Sequence, residues 1–182
     1  MAIPSQRARD PSAPSIAAVV ADMQERLDRL PARLSHLRVF LTTYQRTTRA
    51  VGEAIERASF EDPEWVEHWD VVFADLYLTA LDAELDGGGK VPRPWQLAFA
   101  APPDLHPLRH VLLGINAHVN YDLPQALLAV ISDDDFTHPV VMDRRRRDHE
   151  RIDKVLASRV AAEDDELTAT GGAAMLDRLP RH

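Results

Sequence analysis

Residues 108–128 read LRHVLLGINAHVNYDLPQALL, and no other stretch of the chain limits its fold so tightly. Wound at about 100° per residue, Val111, Leu112, Leu113, Ile115, Ala117, Val119, Tyr121 and Leu123 leave no broad polar face. A helix of this kind is expected to be enclosed by protein, so residues 108–123 are expected to form the central helix of a bundle. The same stretch carries His110, Asn116, His118, Asn120 and Asp122. A buried imidazole, amide or carboxylate without a partner costs about 1–3 kcal/mol, so these groups need a network, a metal or a wet pocket.

The flanking sequence supplies helices to surround it. Residues 1–15 hold three prolines and two arginines with little apolar periodicity and are expected to be a flexible arm. Ser15 can cap a first helix through Ile16, Val19, Val20, Met23, Leu27 and Leu30. After Pro31 the period resumes through Leu34, Leu37, Phe40, Leu41, Tyr44, Val51 and Ile55. Asp62 before Pro63 signals the start of a third helix, which Gly87, Gly88 and Gly89 end. The proline-punctuated segment 90–103 is expected to hold a short helix around Trp95–Ala100 and to serve as a lid. Pro124 is expected to push Leu123 out of helical geometry and kink or break the central helix. The acidic turn Asp133–Asp135 precedes a last helix from about Val140 to Ala162. No useful strand alternation or internal repeat is present. The expected fold is all-α: a single-domain bundle of five or six helices over residues 16–162, with 163–182 as a loose tail.

Composition removes several function classes. At 182 residues the chain is long enough for one domain with a real core. The 21 basic and 29 acidic side chains leave a net charge of -8, which opposes binding to nucleic acid or to anionic membrane surfaces. Cysteine is absent, so thiolate metal sites, disulfides and cysteine nucleophiles are excluded. The N-terminal segment lacks an apolar signal core, and a cytoplasmic location is expected. Neither a nucleophile elbow nor a phosphate-cradling glycine loop occurs. No cofactor is expected, apart from the divalent metal considered below.

His118 and Asp122, spaced i, i+4, are the candidate catalytic pair. A carboxylate on one imidazole nitrogen fixes the tautomer and raises the basicity of the other, preparing a general base or a metal ligand. Asp122 equally suits the N-cap of a helix starting near Pro124. Gly114, a turn earlier, leaves room beside the ring for another helix or a ligand. Asn116 and Asn120 form their own i, i+4 pair on another side, suited to bonds between helices or to substrate. His110 lies about 12 Å along and 80° around the axis from His118, so it suits a pocket wall. On the last helix His149 and Asp153 repeat the His-x-x-x-Asp spacing. With His118 and Asp122 they make a four-ligand set for zinc, manganese or iron, although Arg144–Arg147, Asp148 and Glu150 also suit a solvated face. On the third helix Asp75 and Asp82, spaced i, i+7, suit either inward-facing or exposed carboxylates.

The blocks FADLYLTAL, PRPWQLAF, LRHVLLGINAHVNYDLP and RIDKVL, between Trp69 and Leu156, resemble a bacterial family of unknown function common in actinomycetes. The resemblance implies a helical domain organised around His118, Asn120 and Asp122 and brings no activity with it. A looser similarity joins the two His-x-x-x-Asp pairs to zinc-dependent phospholipase C and the single-strand nucleases. It implies a metal-dependent hydrolase, but the N-terminal tryptophan ligand of those enzymes has no counterpart here. The residue reading points to a small enzyme acting on a largely apolar small molecule by acid/base chemistry, of cyclase, isomerase or lyase type. Trp69, Tyr77, Trp95, His110, Asn116, Asn120 and Tyr121 would bind the substrate around His118 and Asp122. A non-catalytic helical binding or assembly protein is the third alternative.

Overall fold

The computed structural model describes residues 14–169, with side chains through Ala157. The chain is all-helical there, with no strand among the described residues. Helix α1 spans Ile16–Arg29 and begins where the Ser15 hydroxyl accepts from the Ala18 amide at 3.2 Å. Pro31 ends that period, and a 3-10 turn at Ala32–Leu34 leads into α2, Leu37–Glu56. Helix α3 spans Pro63–Asp86: the Asp62 carboxylate caps the Trp65 amide at 3.1 Å, and Gly87 closes the helix in the left-handed conformation at φ 66°. Helix α4 is Arg93–Phe99 and α5 is Pro107–Ala117. A π turn at His118–Asp122 joins α5 to α6, Leu123–Val130, and α7 (Asp133–Thr137) and α8 (Pro139–Ala169) follow. Helix α8 runs past the expected boundary at 162. Residues 1–13 of the expected arm and 170–182 of the expected tail lie outside the described residues. No described helix is long and apolar enough to cross a membrane.

The central helix is α3, not the 108–123 segment. Its buried positions Trp65, Val66, Trp69, Asp70, Val71, Ala74, Tyr77, Leu78 and Leu81 run around the helix, and α1, α2, the π turn and α6 pack against it. The α5–α6 helix flanks the bundle, with Leu112, Ile115, Val119 and Tyr121 exposed on its outer side. Apolar side chains all round a helix show that it has no polar face to offer water. They do not say whether its last face is covered by the same chain.

Pro124 does not break the helix either. Leu123 keeps helical angles, φ -56° and ψ -47°, and donates its amide to the His118 carbonyl, five residues back. Widening one turn makes room for the proline ring, which would otherwise meet a carbonyl of the preceding turn. Asp122 therefore makes no capping bond through its side chain.

Part of the arginine run is a clasp: Arg145 and Arg147 reach back to the entry of α3, while Arg146 stays exposed. Asp148 is fully buried, accepts the Glu61 and Asp62 amides at 2.8 Å each, and pairs with Arg151 at 2.7 Å. Arg145 bonds Asp62 and lies 4.7 Å over the Trp65 ring, while Arg147 and Arg151 grip Glu61 at 2.9 and 2.8 Å. The hydrogen bond from Arg147, with Arg151 beside it, holds the Glu61 carboxyl down at about 2. The middle of α8 is thereby fixed to the N-terminus of α3. Asp148→Ala, which strands two amides and an arginine, should destabilise the fold by about 3 kcal/mol in denaturant unfolding. The exposed control Glu150→Ala should stay within about 0.5 kcal/mol.

Candidate functional site

Three rows of residues at a spacing of four meet inside the bundle. Helix α2 and its entry contribute His36, Phe40, Tyr44 and Thr48, α3 contributes Trp65, Trp69, Phe73 and Tyr77, and the α5–α6 helix contributes His110, Gly114, His118 and Asp122. Such i±4 ridges are what packed helices interdigitate. Gly114 is required by this packing, because a β-carbon there would overlap the Phe40 ring.

His118 and Asp122 meet as their spacing predicts. His118 Nδ1 donates to Asp122 Oδ2 at 2.8 Å, and Trp95 Nε1 of α4 donates to the same oxygen at 2.9 Å. This bond places the remaining lone pair of His118 on Nε2, which is buried without a partner. The ring lies face to face on Phe73, with centroids 3.6 Å apart and planes 7° apart, and Tyr44 closes its edge at 4.5 Å. Burial lowers the His118 pKa more than Asp122 raises it, so the imidazole is neutral at pH 7. The tautomer and bare nitrogen are those of a general base, and five aromatic rings have their centres within 6.2 Å of the imidazole. Tyr77 and Trp95 belong to this cage, at 6.1 and 5.9 Å from His118. Trp69 stands one layer away, stacked on Phe73 at 5.7 Å.

The other expected site residues are elsewhere. Asn116, Asn120 and Tyr121 face solvent, and Asn120 donates to Asn116 at 3.0 Å instead of bridging helices or meeting a pocket. His149 sits half-buried beside Trp69 at 5.5 Å and Asp153 is exposed, so neither joins His118 and Asp122 in a metal centre. Among the described residues no group of three or more His, Asp or Glu side chains is placed to hold a metal ion. Asp75 is exposed, while Asp82 pairs with Arg26 at 2.7 Å.

His110 belongs to a second feature that the sequence reading missed, because His36 was not recognised as its partner. The two rings lie 5.2 Å apart and line a cavity of about 10 Å³ with Leu37, Phe40, Tyr77, Trp95, Ala98, Phe99 and Gly114. That is room for about one water. His36 Nε2 donates to the Phe99 carbonyl at 3.0 Å and His110 leans on the Pro103 carbonyl, leaving His36 Nδ1 and His110 Nε2 bare and buried. Burial, and then the nearby His36, lower the His110 pKa. A larger groove of about 580 Å³ lies between Arg26, Arg29, Arg33, Asp82 and Asp86, but it is open and charged, with Arg26 already held by Asp82.

A third cluster fills the α2–α3 interface. Asp70 Oδ2, Tyr44 Oη and Thr48 Oγ1 are all buried without a well-formed bond. Burial, with a smaller push from Glu67, raises the Asp70 carboxyl to about 7. Burial and then Asp70 hold the Tyr44 hydroxyl well above its usual range. The apolar period of α2 already held Tyr44, and a period-four reading extended through it would have added His36 and Thr48. Asp70 stands in the apolar row Val66, Ala74 and Leu78 at a spacing of four, the signal that marks its burial.

Compared with known proteins, the chain matches the family of unknown function DUF5995 over residues 16–182 and belongs to that family. No curated protein and no solved structure matches it.

Asp70 supplies a pH test. Its folded pKa lies above the unfolded value of 3.8, so folding is penalised as pH rises from about 4 to 7 and the carboxylate must ionise in the core. Asp70→Asn should therefore gain stability over the native chain across that window, reaching on the order of 4 kcal/mol by pH 8. A difference that stays flat with pH in urea unfolding would place the Asp70 charge in water.

Proposed function

We propose that this protein is a non-catalytic helical docking module that pairs with a second copy of itself through the outer face of α5. The observation that carries this reading is an exposed aliphatic stripe. Leu112, Ile115 and Val119 are 50, 43 and 45% exposed, and half-buried Leu108 extends the row to a 4-3-4 spacing. That spacing is the seam of paired helices, in which each side chain inserts between those of a facing helix. Residues 108–119 hold no acidic group in a chain of net charge -8, and Arg109 is the one fully charged side chain among them. A second copy would therefore meet its own image there with little repulsion, and a two-fold axis would make the contact self-complementary. The exposed Asn116–Asn120 amide pair beside the seam can fix the register. The stripe covers twelve residues or about 16 Å, a short seam that favours a weak, reversible dimer.

The expected acid/base enzyme lacks support at the one place it needs it. Aromatic rings pack around His118, and the small cavity that shares Tyr77 and Trp95 with this cage is lined by neither His118 nor Asp122.

Sedimentation analysis from about 1 to 100 μM tests the proposal. The native chain should show a concentration-dependent dimer, and the Leu112→Asp/Ile115→Asp variant should remain a monomer with its melting temperature nearly unchanged. A native chain that is monomeric throughout, or a variant that still dimerises, would falsify this reading.

A further inference from the structure

We propose that His36 and His110 form a binding site for one soft monovalent metal ion, Cu(I), on the inner side of α5 and independent of the outer seam. Each ring uses its outer side on a backbone carbonyl, Phe99 for His36 and Pro103 for His110. Each keeps its other nitrogen bare and buried, and both residues line the same cavity. An imidazole whose second nitrogen is fixed by a carbonyl is the usual arrangement of a metal ligand, and here it occurs twice across one small space.

The surroundings select the ion. The cavity of about 10 Å³ has room for one atom or one water, not for a metal with its own hydration shell. Zn²⁺ in such a cavity would lack its third and fourth ligands, and Mg²⁺ or Ca²⁺ would lack oxygen donors altogether. The rest of the wall is Leu37, Phe40, Tyr77, Trp95, Ala98, Phe99 and Gly114, with no carboxylate to neutralise a divalent charge. The cost of desolvating an ion rises with the square of its charge, so a monovalent ion is far less penalised among these rings, whose faces also attract cations. Cu(I) is satisfied by two imidazoles. With metal–nitrogen bonds of about 2 Å, a linear bridge sets the ring centres about 6 Å apart, so rings now 5.2 Å apart need to separate by only about 1 Å.

The test is anaerobic titration of untagged protein with Cu(I) against a chromophoric chelator. One equivalent should be taken up, with affinity lost by more than about 100-fold in both His36→Gln and His110→Gln and retained in the exposed control His106→Gln. Zn²⁺ should not bind stoichiometrically. Because a buried variant can fail to fold, nitrogen NMR of the native protein gives a second readout: Cu(I) should shift His36 Nδ1 and His110 Nε2 and leave His118 unmoved. No uptake, uptake indifferent to both substitutions, or shifts confined to surface histidines would mean that the cavity holds water only and would overturn the proposal.

Discussion

One carboxylate oxygen holds the interior together. Asp122 Oδ2 accepts from both His118 and Trp95, and the residue is only 1% exposed. An acidic group so deep in protein is tolerable only while its partners are in place. Those partners reach the rest of the core. Trp95 carries α4 onto Tyr77 at 4.7 Å, and His118 lies flat on Phe73 of α3. The π turn belongs to the same arrangement, because the wide turn that admits Pro124 is also the one that presents Asp122 to its two donors.

Much of the helix plan was legible because it is written in local chemistry. Ser15, Asp62–Pro63 and Gly87 marked ends that the structure keeps, and the apolar periods named most of the core. The His118–Asp122 contact was legible as well, since i, i+4 neighbours meet in any helix. What failed was the inference from composition to position. Residues 108–123 carry apolar side chains on every side, yet α3, with its own scattered carboxylates, became the centre. Layer order depends on which helices share the most surface, and no single segment encodes that. The arginine run misled for a similar reason: the buried Asp148 at its end answers two amides almost ninety residues away.

The α5–α6 helix thus has two characters. Its inner row, His110, Gly114, His118 and Asp122, is committed to polar and aromatic partners within the chain. Its outer row is aliphatic, with Leu112, Ile115 and Val119 43–50% exposed. Reading the two rows together produced the impression of an enclosed helix with a polar site. Read separately, they assign internal cohesion to one side and leave the other open to solvent.

Gly114 carries a last consequence, for sequence variation within the family. Any relative with a side chain at this position must have given up the Phe40 ring where it now lies, because a β-carbon and that ring would occupy one volume. Positions 40 and 114 should therefore vary as a pair, with alanine or serine at 114 accompanied by a smaller residue at 40. A relative holding both phenylalanine and a β-carbon there must hold α2 and α5 farther apart.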